Sequence, residues 1–197
     1  SLFALKSELS YLWTVNIGMA LENIRKWHWI NRMNEKINRM WKYDMLTQVL
    51  NRSGFFYCAE TILQKIKEEK SNAFIIFLDI DGLKSVNDNL GHEIGDAFIA
   101  KIAGILKEVV PKDCLIMRYG GDEFVVFGSC KQAGRMQRIA EDIKAAIKTA
   151  DQKENRSYHL AASLGCSLHK SYEMDNLNSL IELADKKMYE EKKNKRR

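Results

Sequence analysis

The sequence lacks the features of a membrane-spanning or exported chain. No apolar run approaches 18 residues, which excludes a transmembrane helix from this fragment. Lys6 and Glu8 interrupt the apolar residues near the N-terminus and exclude the apolar segment of a signal peptide. The four cysteines have neither CxxC nor metal-site spacing, so we expect reduced thiols in a cytoplasmic protein. They are Cys58, Cys114, Cys130 and Cys166.

The basic charge is concentrated at the two ends of the chain. Residues 1–43 carry seven Lys or Arg against three Glu, and residues 184–197 carry seven against three acids. The residues between these ends have a net charge of −3. A nucleic-acid-binding domain usually carries its basic patch on the folded body. The distribution therefore argues against a nucleic-acid partner.

Residues 1–43 differ in kind from the rest, because they contain all four tryptophans and no proline. A 3-4 spacing runs from Leu2 to Met40, and nine of its twelve positions are apolar. The polar exceptions lie at positions 16–26, where a second apolar seam indicates a shift of register. Its members are Ile17, Ala20, Ile24 and Trp27. A single amphipathic helix that folds back on its domain is the alternative, but the lack of turn residues favours a parallel coiled coil.

One acidic cluster lies at the end of a predicted hairpin. A strand ending at Tyr119 is followed by a Gly120-Gly121 turn and then by a second strand. Asp122 and Glu123 lie at the tip, where the glycines allow a phosphate or another backbone to approach closely. Alone, such a turn is more often structural than functional.

A second acidic cluster follows a predicted buried strand. The apolar run 73–78 ends in Asp79, and Asp81 and Gly82 come directly after it. A strand that delivers a carboxylate before a glycine loop and a helix is a usual way to hold Mg²⁺ and phosphate. Together the two clusters supply opposed oxygen ligands for a cation.

From residue 44 onward the pattern predicts alternating helices and strands. We expect helices at about 53–69, 94–110, 131–149 and 177–193, with Asn51 or Ser53 capping the first and Pro111 ending the second. Strands are predicted at about 73–79 and 159–168, with the hairpin at 114–127. This order indicates an α/β (α+β) sandwich with helices packed on a mixed sheet.

Several motifs, in the right order with the right gaps, resemble the GGDEF domain of diguanylate cyclases over residues 44–197. They are D-x-L-T-x-x-x-N-R at 44–52, D-x-D-x-F-K-x-x-N-D at 79–88, G-H-x-x-G-D at 91–96, GGDEF at 120–124, S-x-G at 163–165 and A-D-x-x-x-Y at 184–189. The resemblance implies the palm-like nucleotidyl-cyclase fold, whose central, mostly antiparallel sheet of about five strands is flanked by helices. Residues 1–43 would precede it as a signalling and dimerisation helix.

The resemblance also implies a metal site. Mg²⁺, or Mn²⁺ in its place, would be held by the carboxylates of Asp79 and Asp122 and by the backbone carbonyl of Ile80. A carboxylate at the hairpin tip would accept the proton of the 3′-hydroxyl. Asp122 is the family's nominal candidate and Glu123 is the freer group, so this choice stays open.

The triphosphate would be bound from two sides. Backbone N–H groups at Gly82 and Leu83 would cradle phosphates at a helix start, with Leu83 in place of the family's Phe. The Lys84 side chain would stabilise charge that develops in the transition state. Lys192 and Arg196 match a phosphate-binding K-x-x-x-R, although the family's Gly before the Arg is a lysine here. A solvated basic tail is the alternative, and Lys192 is the stronger candidate of the two.

Guanine would be selected by Asn87 and Asp96. The N1–H and N2–H₂ groups of guanine are donors on one edge, and a carboxylate accepts from both. A family branch that makes mixed guanine–adenine products carries Ser at the position of Asp96. His92 either contacts the nucleotide or only organises its turn.

The implied reaction condenses two GTP into cyclic di-GMP and two pyrophosphates. One domain binds one GTP, so two domains of a homodimer must face each other transiently, held by the N-terminal helix. We expect the sequence to come from a longer bacterial protein whose upstream sensor ends at about residue 18, and membrane tethering of that full-length protein stays open. The alternative is an inactive GGDEF receptor that binds GTP or cyclic di-GMP and signals by protein contact.

The family's product-inhibition motif is absent from the sequence. The motif is R-x-x-D just before the hairpin, and the aligned positions here are Pro111 and Cys114. We therefore expect no strong product inhibition through that site.

Overall fold

The chain divides into two compact units, Ser1–Trp41 and Lys42–Arg197. The structure is a computed structural model that describes residues 2–153, 158–170 and 176–195, with the side chain of Trp13 and those from residue 15 onward. The helices and strands of both units follow in chain order.

The first unit consists of one helix, α1 (Leu2–Lys42), which confirms the predicted long N-terminal helix. At 1.5 Å per residue its 41 residues extend over about 60 Å. Apolar side chains from both predicted seams are exposed along it, among them Ile17, Met19, Ile24, Ile30 and Ile37. An exposed apolar set of this size is typical of a surface that pairs with a partner. In the described residues, no helix is both long and apolar enough to cross a bilayer.

Over the part of the second unit that the structure describes, a four-stranded sheet is accompanied by five helices. Its elements are α2 (Arg52–Glu68), β1 (Asn72–Ile80), α3 (Leu83–Leu90), α4 (His92–Val109), β2 (Leu115–Arg118), β3 (Glu123–Cys130), α5 (Arg135–Lys153), β4 (Ala162–His169) and α6 (Leu177–Lys195). The strand order is β2-β3-β1-β4 and all three pairings are antiparallel. The sheet is antiparallel and flanked by helices, as the resemblance implies, and it is not the mixed sheet that the order of elements indicated. In the described residues it has four strands rather than about five.

Strand β1 lies in the middle of the sheet and is buried on both faces, which explains its apolar run. Phe74, Ile76 and Leu78 pack with α3, α4 and α5, whereas Ile75 and Phe77 pack with α2 and α6. Because side chains alternate between the faces of a strand, Asp79 belongs to the face that α6 covers.

Glycine conformations account for most differences between predicted and observed boundaries. Gly82 and Gly91 have φ values of +80° and +88° and enclose α3, a separate helix of eight residues that the periodicity did not reveal. Consequently α4 begins at His92 rather than at residue 94, so His92 lies on a helix and not on a loop. Gly134, with φ of +78°, delays the start of α5 from residue 131 to Arg135.

The hairpin differs from the tight glycine turn that the sequence predicted. Strand β2 ends at Arg118 and β3 begins at Glu123, so the connection is the four residues 119–122. Neither Gly120 nor Gly121 has the positive φ that two-residue hairpin turns require. At the start of α2, Asn51 is the cap of the two candidates, because its side chain accepts from the N–H of Gly54 at 2.9 Å.

Candidate active site

The sheet brings the two acidic clusters together at one end of β1. Asp79 lies opposite Glu123 of β3 on one side and opposite Ser163 of β4 on the other. The N–H of Ile80 donates to the carbonyl oxygen of Asp122 at 3.0 Å, which fastens the hairpin loop to the end of β1. Strand β1 therefore carries the carboxylate of residue 79, the adjacent strand β3 carries that of residue 123, and the hairpin loop beside them carries that of residue 122.

Asp79 is a buried carboxylate that lies near both a positive charge and other negative charges. Its residue is only 8% exposed, and burial is the main cause that raises its pKa above the ordinary value. Lys192 of α6 forms an ion pair with Asp79 Oδ1 and opposes the rise, whereas the charges of Asp122 and Asp81 add to it. The site thus holds more negative charge than one ammonium group neutralises.

The charges near Asp79 also act on Glu123. Burial raises its pKa, and the nearby charges of Asp122 and Asp79 raise it further. Carboxylates that repel one another at a cleft are typical of sites that take a cation. In the part of the chain that the structure describes, no three His, Cys, Asp or Glu side chains form a ready metal cluster. Two carboxylates with the carbonyl of Ile80 remain a hard-oxygen donor set that fits Mg²⁺.

The loop after β1 leads into α3 through Gly82. Gly82 has a left-handed conformation and precedes α3, whose first N–H groups, like those of any α-helix, have no partner within the helix. Leu83 is buried against the core and anchors this turn, while Lys84 is exposed beside it. A helix start of this kind suits an anionic group.

Asn87 and Asp96 lie on consecutive helices that meet at Gly95. A Cβ on Gly95 would lie 1.8 Å from Asn87 Oδ1, so the amide of Asn87 packs directly on the first turns of α4. Asp96 follows Gly95 and is exposed, and so is His92, one turn earlier on the same helix. The structure therefore places the proposed guanine-reading residues 87 and 96 beside each other.

A cleft of about 370 Å³ opens next to Asp79. Its lining residues are Asp79, Glu123, Asp185, Met188, Tyr189, Lys192 and Lys193. Asp185 and Tyr189 belong to the A-D-x-x-x-Y motif of the sequence, and their place in the cleft is visible only in the structure. Arg196, the other predicted phosphate ligand, lies outside the described residues.

Two further side-chain networks were not predicted. Lys195, at the end of α6, contacts Asp81 and Ser163, and Arg118 joins Asp44 to the hairpin loop. The sequence offers one signal for these residues, because each lies in or next to a motif or acidic cluster: Asp44, Asp81, Arg118 and Ser163. Their pairing depends on the tertiary fold and is not visible in the spacing.

Comparison with known proteins identifies relatives of the whole second unit. The family model of the diguanylate cyclase GGDEF domain matches residues 41–197. Diguanylate cyclase A of Treponema denticola is 29% identical over 195 residues, covering 97% of this chain and 52% of the relative. An uncharacterized membrane protein of Staphylococcus epidermidis is 32% identical over 146 residues, covering 74% of this chain and 39% of the relative. The chain thus spans about half or less of the length of these relatives.

Solved structures show the same fold. The coiled coil and GGDEF domain of DgcB from Caulobacter crescentus, solved in complex with c-di-GMP, superposes with a TM-score of 0.79 at 23% identity. The match covers 90% of this chain and 94% of that one. Diguanylate cyclase SiaD from Pseudomonas aeruginosa, solved with its activator SiaC, has a TM-score of 0.72 at 19% identity, covering 98% and 74%. Because the family model matches most of its length, the chain belongs to the diguanylate cyclase GGDEF-domain family.

Proposed function

We propose that this chain is an active diguanylate cyclase that condenses two GTP into cyclic di-GMP and two pyrophosphates. The observation that carries the proposal is the meeting of the two acidic clusters, with Asp79 opposite Glu123 and Ile80 bonded to Asp122. An inactive receptor has no need of a buried, mutually repelling set of carboxylates, because their repulsion costs stability.

Each half of the reaction is a phosphoryl transfer between two bound nucleotides. The 3′-oxygen of one GTP forms a bond to the α-phosphorus of the other. The bond from that phosphorus to the oxygen bridging to the β-phosphate breaks, and pyrophosphate leaves with the electron pair. The proton of the 3′-hydroxyl passes to a carboxylate at the hairpin, either Asp122 or Glu123. Burial and the charges of Asp122 and Asp79 raise the pKa of Glu123, which makes it a better base than an ordinary carboxylate.

Binding of the triphosphate would use the charges that surround Asp79. Asp79, Asp122 and the carbonyl of Ile80 would hold Mg²⁺, which neutralises the triphosphate and polarises the α-phosphorus when it is bound. Lys192 lines the same cleft and supplies a cation for the phosphates, and Lys84 supplies a second one at the start of α3. Asn87 and Asp96 would read the guanine edge, with exposed His92 beside them.

The reaction requires two domains, because one domain offers one such cleft. We propose that the exposed apolar side chains of α1 pair with those of a second copy and hold the two clefts within reach. The coiled coil of the DgcB structure supports this arrangement. Because the substrate is an intracellular nucleotide, we place the domain in the cytoplasm.

Incubation of the purified chain with GTP and Mg²⁺ tests the proposal directly. We expect cyclic di-GMP and pyrophosphate in a ratio of one to two, by chromatography and mass spectrometry, and no product from ATP. Asp122→Ala should lower the turnover by about 10²-fold or more, because it removes a proposed metal ligand. Asp142→Ala is the matched control, since Asp142 is an exposed acid on α5 away from the cleft. A verified dimer that binds GTP but yields no product would refute the enzyme and favour the receptor.

A further inference from the structure

The ammonium group of Lys195 joins three separate parts of the fold. Its Nζ lies 2.7 Å from the carbonyl oxygen of Ala162, 3.2 Å from Ser163 Oγ and 3.2 Å from Asp81 Oδ2. An ammonium group has three hydrogens, so these three acceptors use all of its donor capacity. An ion pair with Glu191, one turn earlier on α6, adds a fourth contact at 3.3 Å.

Ser163 completes the network. Its hydroxyl donates to Asp81 Oδ1 at 2.8 Å while its oxygen accepts from Lys195. The N–H of Asp81 also donates to the carbonyl oxygen of Ala161 at 2.9 Å. Asp81 is therefore bound through its backbone and through both carboxylate oxygens, and it serves as a structural group rather than as a free ligand.

The network lies between the two groups proposed to bind the triphosphate. Asp81 directly precedes Gly82, whose left-handed turn starts α3. Lys195 follows Lys192 by three residues and shares its side of α6, and Lys192 contacts Asp79. Fastening Lys195 to Asp81 thus sets the spacing between the end of α6 and the phosphate loop.

Lys195 acts through the geometry of its three hydrogen bonds rather than through its charge alone. Its side chain is 45% exposed, and an exposed ion pair by itself contributes little stability. Three acceptors on two other elements, however, restrict the last turn of α6 to one position. The motif that these residues resemble has Gly at this position, and a glycine has no side chain that could form this network.

We propose that Lys195 is a positioning residue for triphosphate binding. It holds the end of α6 against β4 and Asp81, so that Lys192 faces the phosphate loop, and it does not touch the nucleotide itself. The inference rests on the proposed function, because it assumes that GTP binds in the cleft beside Asp79.

The test measures nucleotide binding without turnover. The probe is a GTP analogue with a methylene bridge between the α- and β-phosphates, which cannot release pyrophosphate. We expect Lys195→Ala to weaken analogue binding about three- to tenfold and to leave GMP binding unchanged, because only the outer phosphates depend on α6. Lys195→Arg should restore much of the loss, since a guanidinium also reaches several acceptors. Lys186→Ala is the charge-matched control, from an exposed lysine of the same helix.

A double variant separates positioning from direct contact. In the Lys192→Ala background, Lys195→Ala should cause little further loss, because Lys195 acts through Lys192. A full additional loss in that background would overturn the inference, as would equal losses for the analogue and for GMP. If Lys195→Ala binds the analogue as tightly as the wild type does, this inference alone is overturned. A wild-type chain that binds no analogue would overturn the proposed function and this inference with it.

Discussion

Arg118 joins Asp44 to Gly121 through one guanidinium group. Its Nη1 lies 3.1 Å from Asp44 Oδ1, and its Nη2 donates to the carbonyl oxygen of Gly121 at 2.7 Å. The side chains of Arg118 and Asp44 are 16% and 24% exposed, so water competes weakly for this pair. Asp44, two residues after the end of α1, and the loop that carries Asp122 therefore share one cation.

Arg118→Ala should loosen the hairpin loop. We expect a loss of about 1–2 kcal/mol in the free energy of unfolding, because a carboxylate and a carbonyl both lose a charged donor. Cyclase turnover should fall as well, since Asp122 directly follows Gly121 in the loop. Urea unfolding and product formation measure the two effects. Arg138→Ala, at an exposed arginine of α5, is the control, and equal behaviour of the two variants would contradict the prediction.

The Asp44 carboxylate gives this pair a pH dependence. Burial by itself would raise the pKa of Asp44, but hydrogen bonds from Thr47 and the contact with Arg118 outweigh it and lower the pKa below 3.8. Ionised Asp44 therefore stabilises the fold above pH 3.8, and this stability is lost as the pH falls through the lowered pKa. We expect Asp44→Asn to be less stable than wild type at neutral pH. The difference in the free energy of unfolding between the two proteins should narrow when the pH falls below the folded pKa of Asp44. A difference that stays constant with pH would show that ionised Asp44 does not stabilise the fold.

Glu123→Gln should stabilise the metal-free protein. Burial, together with Asp122 and Asp79, raises the pKa of Glu123, so its charged form destabilises the fold above the raised pKa. Removing that charge should therefore raise the melting temperature at neutral pH. The gain should decrease as the pH falls through the raised pKa, and it should vanish below the ordinary pKa, where Glu123 is neutral in both the folded and the unfolded wild type. Calorimetry at several pH values measures it, and a variant that melts lower at neutral pH would exclude the proposed repulsion.

Gly95→Ala should disturb guanine recognition more than folding. The new Cβ would lie 1.8 Å from Asn87 Oδ1, and the amide at the end of a flexible side chain can swing away. We therefore expect a folded protein whose preference for GTP over inosine triphosphate, which lacks the N2 amino group, falls about fivefold, the equivalent of one hydrogen bond. Competition binding measures this ratio. An unchanged preference for GTP over inosine triphosphate would show that Asn87 does not recognise the base.

Gly165→Ala should displace helix α6. A Cβ at Gly165 of β4 would lie 2.0 Å from the carbonyl oxygen of Ala184 and 2.2 Å from the backbone nitrogen of Met188. Backbone atoms cannot move aside as a side-chain tip does, so we expect a loss of about 3 kcal/mol or more in stability. Gly104→Ala is the matched control, because nothing lies within 4 Å of its Cβ position and it sits inside α4. That control should gain up to about 1 kcal/mol, and thermal melts of both variants distinguish the outcomes.

The acidic end of the sheet was predictable because its signals are local. An apolar run that ends in Asp79, and a hairpin with Asp122 at its tip, each follow from short-range strand and turn chemistry. By contrast, α3 has only eight residues, about two turns, which is too short for a helical period to appear. Its boundaries depend on the positive φ of two glycines, and residue type alone does not reveal φ.

The side-chain networks were beyond prediction because they join residues distant in sequence. Lys192 and Asp79 are 113 positions apart, and Lys195 and Asp81 are 114 positions apart. The sequence placed Lys192 as a phosphate ligand, and the structure adds that it pairs with Asp79. Similarly, Lys195 stands where the resembled motif has glycine, and the structure shows the contacts of this lysine with Asp81, Ala162 and Ser163.

The exposed tryptophans of α1 make tryptophan fluorescence specific to this helix. All four lie at or before position 41, and residues 42–197 contain none. Emission excited in the tryptophan band therefore originates in the helix alone. A shift in that emission reports association or rearrangement of α1, whereas nucleotide bound in the cleft is invisible to it unless the binding event is transmitted to the helix. One intrinsic signal thus records communication between the two units without any label.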